Sequence, residues 1–395
     1  YVPNHIVNQR LIHIFGEPPK VEMLREIMDA DGTLTGVVMR MTAGDFTVSV
    51  DRNCGKEVFA FEQKFAELMG VKHAIGVANG TDALELSLWG LGVRAGDEVI
   101  APCNTFVASL GAIGNLQARP VLVDVGADYV IDPTKIEAAI TPKTKAILPV
   151  HFTGQPCAMD EIMDIANRHQ IPVVEDACQS YLAEYKGKCV GGIGAAGAFS
   201  LHPLKILNCW GDGGVITTND DQLAHEIRLH QNHGMQTRDN ITRFPCRNSR
   251  LDAIHAAVAN YQIADTPVGV INRRTNATYY DTHLRSIPGV HVPERREDFR
   301  SVFHLYFIEV DASLRNQLYT FLNGAQIEAK IHYPVPLYLQ PGLEILGHKR
   351  GDFPVADAQC DRILTLKVDE HTTTAQQDYV ISMISEFMTT AQRTW

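Results

Sequence analysis

The sequence predicts an α/β protein. Short apolar runs alternate with stretches of helical periodicity, the runs end in polar residues, and turn signals such as Asn79-Gly80 fall between them. Phe59 to Met69 carries apolar residues at helical spacing, and Ala74 to Val77 is a short apolar run closed by that turn. A second helix, Ala83 to Leu91, follows at once. DEVIAPCNTF (97–106) reads as a buried strand leading into a loop, Val107 to Leu116 as a helix and PVLVDV (120–125) as a strand. KAILPVHFTG (145–154), IPVVEDA (171–177) and GAFSLH (197–202) continue the series, and their polar ends are where a parallel sheet places its chemistry. GGVITTND (213–220) has the character of an antiparallel strand, with a helix from Asp221 to Asn232 behind it.

The character changes near residue 262. A polar-rich helix from Val270 to Ile287 precedes SIPGVHVPE (286–294), and SVFHLYFIEVD (301–311) and AKIHYPVP (329–336) read as strands of a smaller α+β unit. The expected division is an N-terminal arm and helix over 1–55, a large domain over 56–262 and a small C-terminal domain over 263–395. With 395 residues, 45% of them hydrophobic, the chain can bury a sizeable core.

The net charge of -11 and the absence of a basic run argue against nucleic acid as a partner, because phosphate binding needs clustered Lys and Arg. Eight cysteines, none in a CxxC spacing, suit reduced thiols in the cytoplasm better than a disulfide or zinc framework, and no metal is expected. No apolar run reaches about 18 residues, and the first residues lack a basic segment leading into an apolar one. The expectation is a soluble, cytoplasmic protein with no membrane partner.

Three segments carry chemistry. In ANGTDALELS (78–87) a strand feeds Asn79-Gly80-Thr81 and then a helix, whose first N–H groups favour an anion; the same residues also suit an ordinary capped turn. In VVEDACQS (173–180), Asp176 closes an apolar strand, either as a cap or as a buried carboxylate that needs a cation such as a protonated pyridine nitrogen. Lys205, between Leu204 and Ile206, has no acidic neighbour until Asp212. An amine in apolar surroundings loses proton affinity and becomes a nucleophile, although most lysines are solvated surface groups.

These segments occur in one order with six others: NGTDALELS, GDEVIAPCNTFVAS, PVHFTGQPCAMD, VVEDACQS, FSLHPLK, GDGGVITTND, NSRLDAIHAAV, HYPVPLYLQP and FPVADA. From about Glu57 onward the chain resembles the DegT/DnrJ/EryC1/StrS family of pyridoxal 5′-phosphate (PLP)-dependent sugar aminotransferases. The resemblance implies fold-type I, with a mostly parallel seven-stranded sheet. It implies that Lys205 holds PLP as a Schiff base and shuttles a proton, that Asp176 pairs with the pyridine nitrogen, and that Gln179 contacts the ring hydroxyl. Gly80, Thr81 and Ser200 would hold the phosphate and Phe106 would cover the ring. Asn248 would reach the phosphate of a neighbouring subunit, giving a homodimer with shared active sites.

The implied reaction moves an amine from L-glutamate to a keto- or aldehydo-sugar acceptor. Two features depart from the family pattern: GDFTVSVDRNCGK (44–56) is long and polar, and Leu204 and Trp210 are bulky. The first resembles the transaminase that aminates the C8 aldehyde of an oxidised 3-deoxy-manno-octulosonate for lipopolysaccharide. Nucleotide-linked keto-sugars and 3-oxo-glucose 6-phosphate are the alternatives. Arg52, Lys56, Arg250 and Lys330 are candidate contacts for an anionic acceptor, with His151, His202, His332 and Tyr333 as further candidate substrate residues. A regulatory protein would need a DNA-binding domain, and the first 55 residues show no basic recognition helix.

Overall fold

A computed structural model describes residues 20–28, 34–43, 46–51, 55–237 and 239–393. Where the sequence suggested an N-terminal arm and helix, the described residues form three antiparallel strands, β1 (Lys20–Met28), β2 (Leu34–Ala43) and β3 (Phe46–Asp51), in the order β1-β2-β3. Val and Thr residues in LTGVVMRMTA and FTVSVD favour the extended backbone over a helix. Arg52 and Cys54 lie outside the described residues.

Seven strands follow: β4 (His73–Val77), β5 (Glu98–Pro102), β6 (Arg119–Val123), β7 (Thr144–Ile147), β8 (Val174–Asp176), β9 (Ala196–Ser200) and β10 (Gly214–Thr218). Two sheets, β4-β10-β9-β8 and β7-β5-β6, are joined by the parallel bridges Ile147–Val173 and Val150–Asp176. Only β10 runs antiparallel to its neighbours, as its sequence suggested; the other pairings are parallel.

The strands read as continuous apolar runs because both faces are covered. Val99, Ala101, Ala146, Leu148, Val174 and Ile216 pack into one core, while Ile100, Ile147, Val173 and Val215 alternate into the other. Helices α1 (Lys56–Met69), α2 (Gly80–Gly90), α3 (Val107–Asn115), α4 (Met159–His169) and α5 (Asp221–His230) supply the covering faces. In α1, Phe61, Phe65 and Met69 fall on one side, and the helix stops at Gly70, whose φ of 66° is left-handed. Helix α4 was not anticipated, although Met159, Ile162, Ile165 and Ala166 give it a buried stripe.

After α6 (Ala253–Gln262) the long α7 (Thr266–Leu284) leads to a third core. It is built from α7, the antiparallel pair β11 (Tyr306–Glu309) and β12 (Ile363–Leu366), and the helices α8 (Ala312–Gly324) and α9 (Thr374–Arg393). The segment 329–336 was expected to be a strand, but it makes only the bridge Lys330–Thr365. Pro334 and Pro336 have no N–H to continue a ladder. Among the described residues no helix is long and apolar enough to cross a membrane.

Candidate active site

The start of α2, the ends of β8 and β9 and the segment 328–333 line one cavity of about 450 Å³. At the start of α2 the Asn79 side chain accepts from the Asp82 N–H at 2.8 Å and its carbonyl accepts from Ala83 at 3.1 Å. The capped-turn reading therefore holds, and the anion reading is compatible with it, since Gly80 and Thr81 themselves line the cavity. Gly80 is required by close approach: a Cβ there would lie 2.8 Å from Ser200 Cβ and 3.2 Å from Cys178 Sγ. The helix start is thus pressed against Ser200 at the end of β9.

Asp176 closes β8 and is 4% exposed. Its Oδ2 accepts from the Ser109 hydroxyl at 2.7 Å and its Oδ1 from the Cys178 N–H at 3.1 Å. Ser109 is in turn 2.7 Å from the Thr105 hydroxyl, one helical turn earlier. Lys205 opens on the same cavity. Burial pulls its pKa below the ordinary lysine value, with Cys178 and Asp176 acting in the opposite direction. The thiol of Cys178 is pushed well up by burial first, then by Asp176.

Of the other residues singled out in the sequence, Phe106, Gln179, Ser200, His202, Lys330, His332 and Tyr333 line this cavity. Phe106 is 53% exposed. The Gln179 Oε1 accepts from the Thr153 N–H at 2.7 Å. Burial, then Lys330, lowers the pKa of His332 to about 4, and burial, then Asp176, raises that of Tyr333 to about 12. At neutral pH the cavity therefore presents an uncharged imidazole and an intact phenol.

His151 is not a substrate contact. It is fully buried; its Nδ1 accepts from the Cys157 N–H at 2.9 Å, so its Nε2 carries the proton that faces Glu175 at 3.0 Å. Lys56 is exposed at the start of α1, and Arg250 is exposed and bonded to the side chain of Asn232; neither lines the cavity. Asn248 is exposed, pairs through its backbone with Asn232, and does not reach the cavity of its own chain.

Ser109, Cys178, Arg273 and Lys367 escaped the sequence reading. Ser109 had a signal, lying four residues after Thr105 in the first turn of the helix that follows a strand end. Arg273 is 4% exposed and ties the third core together, donating to the Val368 carbonyl at 3.1 Å and lying 2.6 Å from Glu370.

Residues 47–385 match the model of the DegT/DnrJ/EryC1/StrS aminotransferase family. The chain is 38% identical over 322 residues to the UDP-2-acetamido-2-deoxy-3-oxo-D-glucuronate aminotransferase of Pseudomonas aeruginosa, covering 81% of this chain and 88% of the relative. It is 36% identical over 334 residues to the dTDP-3-amino-3,4,6-trideoxy-alpha-D-glucose transaminase of Streptomyces venezuelae, covering 84% and 87%. Among solved structures, S. venezuelae DesV in complex with a ketimine intermediate superposes with a TM-score of 0.82 at 37% identity, over 85% of this chain and 90% of that one.

Proposed function

The chain belongs to the DegT/DnrJ/EryC1/StrS aminotransferase family, and from that premise we propose that Lys205 anchors PLP and moves the proton of a sugar transamination. The protein is a PLP-dependent sugar aminotransferase of fold-type I. The observation that carries the residue roles is the meeting of a desolvated amine, a buried carboxylate and a helix start on one cavity.

The residues present fit the cofactor. Gly80 against Ser200 leaves a cradle that a Cβ would fill, and Asp176 is a buried acceptor aimed by Ser109 and Cys178. Bound PLP supplies an electron-accepting ring. In this reading Gly80, Thr81 and Ser200 hold the phosphate at the helix start. Asp176 keeps a proton on the ring nitrogen, Gln179 contacts the ring hydroxyl and Phe106 shields one face from water. The Lys205 Nζ, held with a lowered proton affinity, takes a proton from the substrate carbon and returns it. Asn248, exposed on its own chain, reaches the site of a second copy, which makes the working unit a homodimer with shared active sites.

L-glutamate is the amino donor in this proposal and a nucleotide-linked keto-sugar the acceptor; the names of the Pseudomonas and Streptomyces relatives support that class. The aldehyde of an oxidised octulosonate is a second reading. What favours it is the long, polar sequence of residues 44–56, which departs from the family pattern.

The test uses the purified holoenzyme. L-glutamate should convert the yellow aldehyde form of the cofactor to the colourless amine form, and Lys205→Ala should abolish the change. An unchanged spectrum defeats the donor assignment. Mass spectrometry of a mixed acceptor panel then decides the sugar: amine gain on nucleotide-linked 3-keto-sugars supports the first acceptor, and gain only on the octulosonate aldehyde replaces it with the second.

A further inference from the structure

We propose that Lys330 and Lys367 form the subsite for an anionic group of the acceptor sugar, a carboxylate or a diphosphate. This inference rests on the aminotransferase reading above. It starts from the pairing of Lys330 with Thr365, whose backbone groups exchange two hydrogen bonds, 3.0 Å from the Lys330 N–H and 2.7 Å from the Thr365 N–H. Around an antiparallel pair, alternate residues share a face. Ala329, Leu364, Leu366 and Val368 pack into the third core. Glu328, Lys330, His332, Thr365, Lys367 and Asp369 alternate with these, and all six line the cavity, whose wall Leu366 and Val368 also reach. The segments joined by this pairing thus place two cations on the wall of the cavity that Lys205 also lines.

Among the described residues each ammonium pairs with a neighbouring carboxylate two residues along its own segment. Lys330 Nζ lies 2.6 Å from Glu328 and Lys367 Nζ lies 3.3 Å from Asp369. Both lysine side chains are more than half exposed, 58% and 64%, so these pairs are weak and exchange readily for a bound anion. Asp369 stays in place after such an exchange, because the His371 N–H and the Thr372 hydroxyl also donate to it. Glu328 has 61% of its side chain open and is free to turn toward a sugar hydroxyl.

Long-range electrostatics make a local cation site necessary. The whole chain carries a charge of -11, which repels an anionic substrate at a distance. The helix start at Gly80 and Thr81, on the same cavity, is assigned above to the cofactor phosphate. An anion on the acceptor is therefore left to Lys330 and Lys367.

The test is isothermal titration of the holoenzyme with two stable probes, UDP-glucuronate, which carries a carboxylate and a diphosphate, and UDP-glucose, which carries only the diphosphate. Lys330→Gln and Lys367→Gln should each weaken an anionic probe by about tenfold to a hundredfold, the usual scale for a hydrogen bond to a charged group. The double variant should also lose most of the salt dependence of binding. Lys330→Arg and Lys367→Arg keep the charge and should bind near normally. Weaker binding of both probes alike assigns the lysines to the diphosphate, and weaker binding of UDP-glucuronate alone assigns them to the carboxylate. Unchanged affinity in the double Gln variant, equal losses in the Arg and Gln variants, or no binding of either probe to the unmodified enzyme overturns the proposal. The L-glutamate spectral change is read separately, so failure here is distinct from failure of the aminotransferase reading.

Discussion

Ser109→Ala removes one hydroxyl from behind Asp176. Ser109 has a single proton, which goes to Asp176 Oδ2 at 2.7 Å, so Thr105 is the donor in the 2.7 Å bond between the two hydroxyls. Ser109 is 1% exposed and Asp176 4%, although both border the cavity, where water offsets part of the lost bond. A hydrogen bond to a charged group contributes about 1.5–3 kcal/mol. Unfolding entropy of about 2.1 cal/mol/K per residue gives roughly 0.8 kcal/mol/K for 395 residues, so Tm should fall by about 2–4 °C. Calorimetry on cofactor-free protein measures this directly. With PLP bound the fall should be smaller, because a protonated ring nitrogen gives the carboxylate another donor. A shift below about 0.5 °C in the cofactor-free protein would show that Ser109 does not hold the carboxylate. An equal shift with and without PLP would show that the ring does not meet Asp176.

Glu175→Gln should cost about 2–6 kcal/mol in urea unfolding, because its NH2 replaces an oxygen that accepts two N–H groups among those of Gly191, Ile193, Gly194 and His151, at about 1–3 kcal/mol for each donor left unsatisfied. A raised KM at unchanged stability would instead return His151 to the substrate site. In cofactor-free protein the lowered pKa of Lys205 means that the unfolded chain binds the extra proton, so stability rises with pH between the folded pKa and about 10.4. Lys205→Met should remove that slope, and a slope that persists in the variant contradicts the assignment. His332, with its pKa lowered to about 4, contributes stability that is lost as pH falls from about 6.5 toward 4. NMR titration should find the imidazole neutral at pH 6, and its pKa should rise in Lys330→Gln because a facing cation is gone. Gly80→Ala drives a Cβ to 2.8 Å from Ser200 Cβ, so it should destabilise the protein by about 1–3 kcal/mol and raise the PLP concentration needed for saturation; normal PLP retention would remove Gly80 from the cradle.

The large sheet was legible because its strands obey a local rule. Apolar runs such as EVIAP and GVITT announce themselves, and polar residues after them mark the end that carries chemistry. Asp176 was found that way. His151 was misread by the same rule, for it too follows an apolar run, and its buried partner Glu175 is visible only once β7 and β8 lie side by side. The contact of Gly80 with Ser200 joins residues distant in sequence, so Gly80 could be identified as a turn but not as the floor of a cradle. Lys330 was noticed as a charge, whereas Lys367 was hidden at the end of a strand whose pairing with residue 330 no local periodicity reveals. The segment 329–336 shows the limit in reverse, since its β-favouring residues suggested a strand that two prolines interrupt.

The adjacent carboxylates of β8 show how one strand separates structure from chemistry. Successive side chains point to opposite faces, so Glu175 turns inward and accepts from Gly191, Ile193 and Gly194 N–H groups and from His151. An ionised carboxylate offers about four acceptor positions, and Glu175 fills them within the protein. Asp176 turns to the cavity and takes the Ser109 hydroxyl and the Cys178 N–H, leaving acceptor capacity on the side that Lys205 also faces. A buried carboxylate with capacity left over is costly unless something outside the chain meets it. That remaining capacity singles out Asp176 rather than Glu175 as the residue for a cationic ring nitrogen, and it explains why substitution of the two should give opposite phenotypes: lost folding for Glu175, lost cofactor chemistry for Asp176.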